Sequence, residues 1–243
     1  MEAMCGRYAV TLPVDAMATL FGSADRPNLA PRWNVAPTQL APMVAIGKAG
    51  DTRILQARWG LRPGWMAKDP PTGPLFNARG ESVAEKPAFR TAFARKRCLI
   101  PADGFYEWKR EGKVRTPYFI ARPDGEPVTF AGLWEAAKDE EGGLILSMSI
   151  VTTAATDHFR NIHDRFPVVI EPNDWQTWLK ASTPSDTLKQ LLIPPLDGFM
   201  VPRQVSDRVN KVSHDDAECF RPVDLNFDIV GRFGQATITK KPS

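Results

Sequence analysis

Twenty-two prolines cut this 243-residue chain into short pieces. Proline has a fixed φ and no N–H, so it ends helices and is excluded from central strands. The pieces between prolines are mostly apolar and β-branched, and they predict strands at Pro42–Ile46, Arg53–Trp59, Arg97–Ile100, Phe105–Trp108, Pro117–Ala121, Val128–Leu133, Leu144–Thr153 and Phe166–Ile170. Helical spacing is confined to Val14–Phe21, closed by Gly22, to Ala84–Arg95 with Lys86-Pro87 near its first turn, and to Asp174–Leu179 and Ser185–Leu192. Strands and helices do not alternate, which argues against a parallel βαβ sheet. The pattern predicts one α+β domain with a mainly antiparallel, barrel-like core and short peripheral helices. Its expected span is 5–227, after a four-residue extension and before a loose polar tail at 228–243.

Hydrophobic residues at 43% and charged residues at 24% fit a globular chain and exclude collagen-like, coiled-coil and wholly disordered ones. Cys5, Cys98 and Cys219 are too few and too scattered for a disulfide framework, and without a CxxC pair no metal site is expected. No apolar run nears the ~18 residues that span a bilayer. Met1-Glu2-Ala3-Met4-Cys5-Gly6-Arg7 lacks the basic-then-apolar pattern of a signal peptide. The expectation is a cytoplasmic, monomeric protein with no membrane, metal or cofactor.

Charge is uneven. Arg53–Arg122 holds 15 Lys or Arg against six Asp or Glu, a local +9 in a chain of +3. Such a field attracts nucleic-acid phosphate. Trp59, Trp65, Phe76, Phe105, Tyr106 and Trp108 are interleaved with it, as in grooves that hold single strands on aromatic platforms. A solvated basic face over core aromatics is the alternative.

Three polar constellations stand inside structured runs: Asn77-Ala78-Arg79-Gly80-Glu81-Ser82, the Asp103–Lys109 run and the Asn161–Pro167 run. Strand alternation puts Phe105 and Glu107 on one face, which places the carboxylate at a rim or in a site that raises its pKa. His163 is one of three histidines and reads either as a hydrogen-bonding core residue or as a catalyst. No GxSxG, Walker, GxGxxG or HExxH motif is present. A thiol protease built on Cys and His is a further reading.

Cys5 offers a more specific chemistry. Were it the first residue, an amine and a thiol would sit on adjacent carbons. With an aldehyde the amine forms an imine, and the thiol closes on the imine carbon to give a thiazolidine. An α-amine titrates near 7.7–8.0, so roughly a tenth of it is neutral at pH 7. A carboxylic acid such as Glu107 would shuttle the protons. The plainer reading of Cys5 is a small buried residue of a first strand.

Cys5-Gly6-Arg7-Tyr8, Trp33-Asn34-Val35-Ala36-Pro37-Thr38, Trp59-Gly60-Leu61-Arg62-Pro63-Gly64-Trp65, Asn77–Ser82, Arg97–Lys109, Ile162-His163-Asp164-Arg165-Phe166-Pro167-Val168 and Val209-Asn210-Lys211-Val212 together resemble the SRAP family of abasic site processing proteins. They run in family order over about 5–223. The resemblance implies a single α+β domain with a basic groove for single-stranded DNA and covalent capture of abasic sites. Carried over by motif, Cys5 is the nucleophile, Asn77 orients the sugar, Glu107 is the general acid/base and His163 assists ring opening and reversal. Arg7, Asn34, Arg79 and Arg165 fall among the DNA contacts, and Trp65 at a stacking or wedge position. The family is also read as a thiol autopeptidase that exposes its cysteine.

Two departures stand out. The family's cysteine normally follows the initiator Met, whereas Glu2-Ala3-Met4 intervene here. Initiation at Met4 or cleavage of Met4–Cys5 would expose the amine. His214 replaces another polar residue and reads as surface variation. The rival functions are a thiol peptidase acting on other proteins and a non-catalytic single-stranded DNA-binding module.

Overall fold

A computed structural model describes residues 5–66, 70, 73–138 and 142–223. The extension at 1–4 and the tail at 228–243 lie outside these residues. In chain order the strands are β1 (Arg7–Val10), β2 (Arg32–Val35), β3 (Leu40–Ile46), β4 (Thr52–Trp59), β5 (Asn77–Arg79), β6 (Arg97–Ala102), β7 (Gly104–Glu111), β8 (Val114–Ala121), β9 (Val128–Lys138), β10 (Leu144–Ala154), β11 (Arg165–Pro167) and β12 (Val201–Gln204). The helices are α1 (Val14–Phe21), α2 (Arg90–Arg95), α3 (Asp157–Arg160), α4 (Trp175–Leu179) and α5 (Ser185–Gln190).

β10, β4, β3, β6 and β9 form a ring that closes when β9 pairs back onto β10. Closure leaves this part without an exposed edge. β5 and β11 attach to β10, the first parallel and the second antiparallel. A second sheet, all antiparallel, runs β12–β8–β7–β1–β2. The expected α+β architecture with a barrel-like core is what the chain builds.

Alternation in the second sheet assigns its two faces. Tyr8, Val10, Phe105 and Ile120 enter the main core, while Ala9, Tyr106 and Phe119 face a smaller cluster with Val205, Val209, Cys219 and Phe220. Aromatic edges tie sheet to barrel: Tyr8 meets Trp59 at 5.0 Å and Phe105 meets Phe166 at 4.9 Å between ring centroids. Such pairs add about 1 kcal/mol beyond their burial.

Two helical expectations shorten. From Ala84 to Phe89 the chain makes successive turns, and only Arg90–Arg95 is helix. Pro87 has no N–H to give to Val83, and it disfavours helical backbone at Lys86. Ser185–Leu192 stops at Gln190, after which Leu191 and Leu192 close three-residue turns onto Leu188 and Lys189. The predicted run Phe166–Ile170 is divided between partners. Its first residues pair with β10, then the Ile170 N–H reaches Thr129 on β9. β1, β2, β5 and β12 were not predicted; each has three or four residues and is specified by its partners.

Candidate active site and nucleic-acid interface

β7 carries the centre of the site. The backbone N–H of Cys5 donates to Glu107 Oε1 at 2.6 Å. Both residues are buried, at 2% and 4% exposure. The expected pairing of Phe105 and Glu107 on one face holds, and that face is the interior one. Burial pushes the Glu107 carboxyl up to about 8, and the nearby Asp164 carboxylate adds to the rise. At pH 7 the group is therefore mostly a carboxylic acid, able to give a proton as well as receive one. Burial, reinforced by Glu107, holds the Cys5 thiol well above the ordinary thiol range. A thiol in that state is a poor nucleophile on its own.

Cys5 also adopts φ +36°, in the left-handed region that β-carbons disfavour. Thr38, with φ +76°, is the other non-glycine residue with positive φ among the described residues. Thr38 follows β2 and Cys5 precedes β1, so the antiparallel pairing of these strands puts both strained residues at one end of the sheet. The Thr38 turn is held by its N–H on Trp59 O at 2.7 Å and by Gln39 Oε1 on the Ala36 N–H.

Asn77 opens β5, opposite Ile150 of β10. The Trp59 indole N–H donates to Phe76 O at 2.8 Å, and Trp59 touches Tyr8, so packing connects the start of β5 to β1. His163 and Asp164 precede β11. The Arg165 N–H donates to His163 Nδ1 at 3.1 Å. The Asp164 carboxylate lies 3.1 Å from the same nitrogen, so protonation would convert that contact into an ion pair. Phe105 against Phe166 is what brings this corner up to Glu107.

The expected DNA contacts divide. Trp65 is 68% exposed, and Arg79 is exposed at the end of β5. Arg165 forms a two-pronged pair with Glu81. Arg7 is half-buried. Its guanidinium binds Asn34 Oδ1 at 2.9 Å and Val209 O at 2.8 Å, and lies 5.8 Å from the centre of the Trp108 ring. Asn34 is a correction. It is fully buried, its amide donates to the carbonyls of Val209, Lys211 and His214, and Asp215 accepts its N–H. A side chain so enclosed holds the 209–215 segment against the sheet and cannot meet a strand from solvent.

The basic stretch is also less free than its charge suggests. Arg97 is buried on three carbonyls, Arg53 pairs with Asp25, and Lys96 sits on Glu135. Trp59, Phe105 and Tyr106 are core, so the plain reading holds for them. Sequence reasoning missed Thr38, Asp164 and Glu81. The first shows only as a backbone angle, and the other two stood inside motifs already singled out.

The profile of the SOS response associated peptidase (SRAP) family matches residues 4–212. "Abasic site processing protein YoaM" of Bacillus subtilis is 37% identical over 221 residues, covering 88% of this chain and 96% of that protein. "Abasic site processing protein YedK" of Escherichia coli is 31% identical over 233 residues, covering 90% of this chain and all of the other. Among solved structures, a protein from Bacteroides thetaiotaomicron superposes with a TM-score of 0.81 at 23% identity, over 90% of this chain and all of that one. The match of profile and relatives over nearly the whole length establishes that this chain belongs to the SRAP family.

Proposed function

We propose that this protein processes abasic sites in single-stranded DNA by bonding to them through Cys5. The observation that carries the reading is the buried 2.6 Å contact between the Cys5 nitrogen and the Glu107 carboxyl, in a chain whose relatives are abasic site processing proteins. The ring-opened sugar presents an aldehyde. The Cys5 amine adds to its carbon to give a carbinolamine. Glu107, held protonated by burial, protonates the departing hydroxyl, and water leaves as the imine forms. The thiol then adds to the imine carbon and its proton passes to nitrogen, closing a thiazolidine. An aldehyde and an aminothiol thus give one ring and one water. A thiol held above its ordinary range suits this order, since the amine attacks first.

The scheme requires the Met4–Cys5 bond to be absent. The φ of +36° at Cys5 favours loss of that bond by whichever route removes it. φ is defined through the preceding carbonyl carbon, so hydrolysis of that peptide bond releases the strain, of order 1–3 kcal/mol. A peptidase acting on other proteins would need an activated thiolate, and the raised Cys5 thiol disfavours it.

The test mixes protein that begins at Cys5 with a single strand containing one abasic site. A heat-stable crosslink on a denaturing gel, absent with Cys5→Ala and slowed at least tenfold with Glu107→Gln, is the expected result. No crosslink, or one undiminished in Cys5→Ala, ends the proposal. Acetylating the terminal amine separates the readings, because it blocks thiazolidine formation and spares a thiol protease. The intact mass of protein from its host reports whether Cys5 is terminal.

A further inference from the structure

Arg165, a DNA contact by motif, has its binding edge occupied. Its side chain is only 11% exposed, whereas the Glu81 carboxylate over it is 53% exposed. Nη1 and Nη2 each donate to one Glu81 oxygen, the second at 2.8 Å. Nη2 donates again to Thr152 O at 2.8 Å, and Nε is buried. A guanidinium has five N–H bonds, and its paired Nη groups form the fork that grips two oxygens at once. Here that fork is filled by a carboxylate, which presents two oxygens much as a phosphate does.

The backbone puts Glu81 there. Thr152 stands opposite Arg79 on β5, and Ala154 stands opposite Arg165 on β11. The Gly80 N–H donates to Thr152 O at 2.8 Å. A β-carbon on Gly80 would come within 3.2 Å of that oxygen, so a small residue lets the chain hug β10 and turn Glu81 onto Arg165. Arg165 foremost, with help from Arg79, holds the Glu81 carboxyl below its usual range.

We propose that Glu81 is a resident substitute for a strand phosphate on Arg165, and that DNA enters this position by exchanging phosphate for carboxylate. The residue thereby weakens binding of undamaged single strands and leaves retention to sites that can react. This rests on the reading above only in that a strand passes over Arg165; it does not depend on the covalent step. Exchange of one anion for another on one arginine makes no net contribution to counterion release. Removing the Glu81 charge restores that contribution.

The experiment measures binding of an undamaged oligonucleotide across a salt series for wild type, Glu81→Gln and Glu81→Ala. Both variants should bind more tightly, with a log K versus log [salt] slope steeper by about 0.7, which is roughly fivefold at 0.1 M salt. Because Arg165 is only 11% exposed and loses its carboxylate partner, both should melt below wild type, and binding is measured at a temperature where every variant is folded. The gain should vanish in an Arg165→Gln background. Equal or weaker binding with an unchanged slope would make Glu81 a buttress for Arg165 and overturn the proposal. So would a gain that survives Arg165→Gln, or a wild type and variants that all fail to bind. A gain on undamaged DNA without crosslinking at abasic sites would keep this inference and remove the covalent one. Crosslinking with no Glu81 effect would do the reverse.

Discussion

The two faces of the β7 sheet both bury polar groups, and they do so in opposite ways. On the outer face, Tyr106 Oη donates to Trp33 O, Trp108 Nε1 to Asn210 Oδ1, and Asn34 to three carbonyls. Asp215 receives the N–H groups of Trp33 and Asn34 and pairs with Arg32. Every polar group in that web has a partner, and its product is attachment of the 209–215 segment. On the inner face, Glu107 meets the Cys5 N–H while burial and Asp164 raise its pKa. There the carboxyl stays buried by keeping its proton. A satisfied network fixes structure, and a desolvated acid with a strained neighbour is poised for proton transfer.

The contrast can be broken most forcefully on the outer face. Asn34→Ala strips partners from three carbonyls and from Arg7, and we expect a loss of about 3 kcal/mol in urea unfolding at pH 7. Glu107 responds to pH instead. Its folded pKa lies above the ordinary 4.5, so the folded state keeps a proton that the unfolded chain has released. Its contribution is full below about 4.5 and is lost as pH rises through about 8, by up to about 1.4 kcal/mol per pH unit. Unfolding free energies at successive pH values should show that decline in wild type and a flatter profile in Glu107→Gln. A matching decline in Glu107→Gln would assign it to another group. Thr38→Gly should raise the melting free energy by about 1 kcal/mol, because glycine adopts φ +76° freely and its extra unfolded-state entropy offsets part of the gain. The smallest stability effect belongs to Trp65→Ala, within about 0.5 kcal/mol for so exposed a residue. Its reading as a stacking platform requires a loss of about tenfold in single-strand affinity.

Legibility tracked locality. Val14–Phe21 was readable because Gly22 closes it with φ +63° and takes the last carbonyls. Phe105 and Glu107 shared a face because strand period is two. The helix at Ala84–Arg95 failed for a local reason that was also visible, the proline at 87. The four missed strands had no such signal, since three or four residues carry too little pattern and pairing alone makes them strands. Among site residues, Cys5 and Glu107 were brought into contact across 102 positions of sequence. Asn34 was placed with the DNA contacts by its family motif alone, and its burial depends on a segment 175 to 180 positions away.

By itself, then, the sequence determined the kind of architecture and the family to which the chain belongs. Proline spacing, period-two alternation and ordered motifs are local properties that survive in a linear string. The tertiary structure decided the state of each group. Whether Glu107 is charged, whether Cys5 is relaxed, whether Arg165 is vacant and whether Asn34 meets solvent all depend on desolvation and on partners brought from distant segments. Those quantities have no value until the chain is packed.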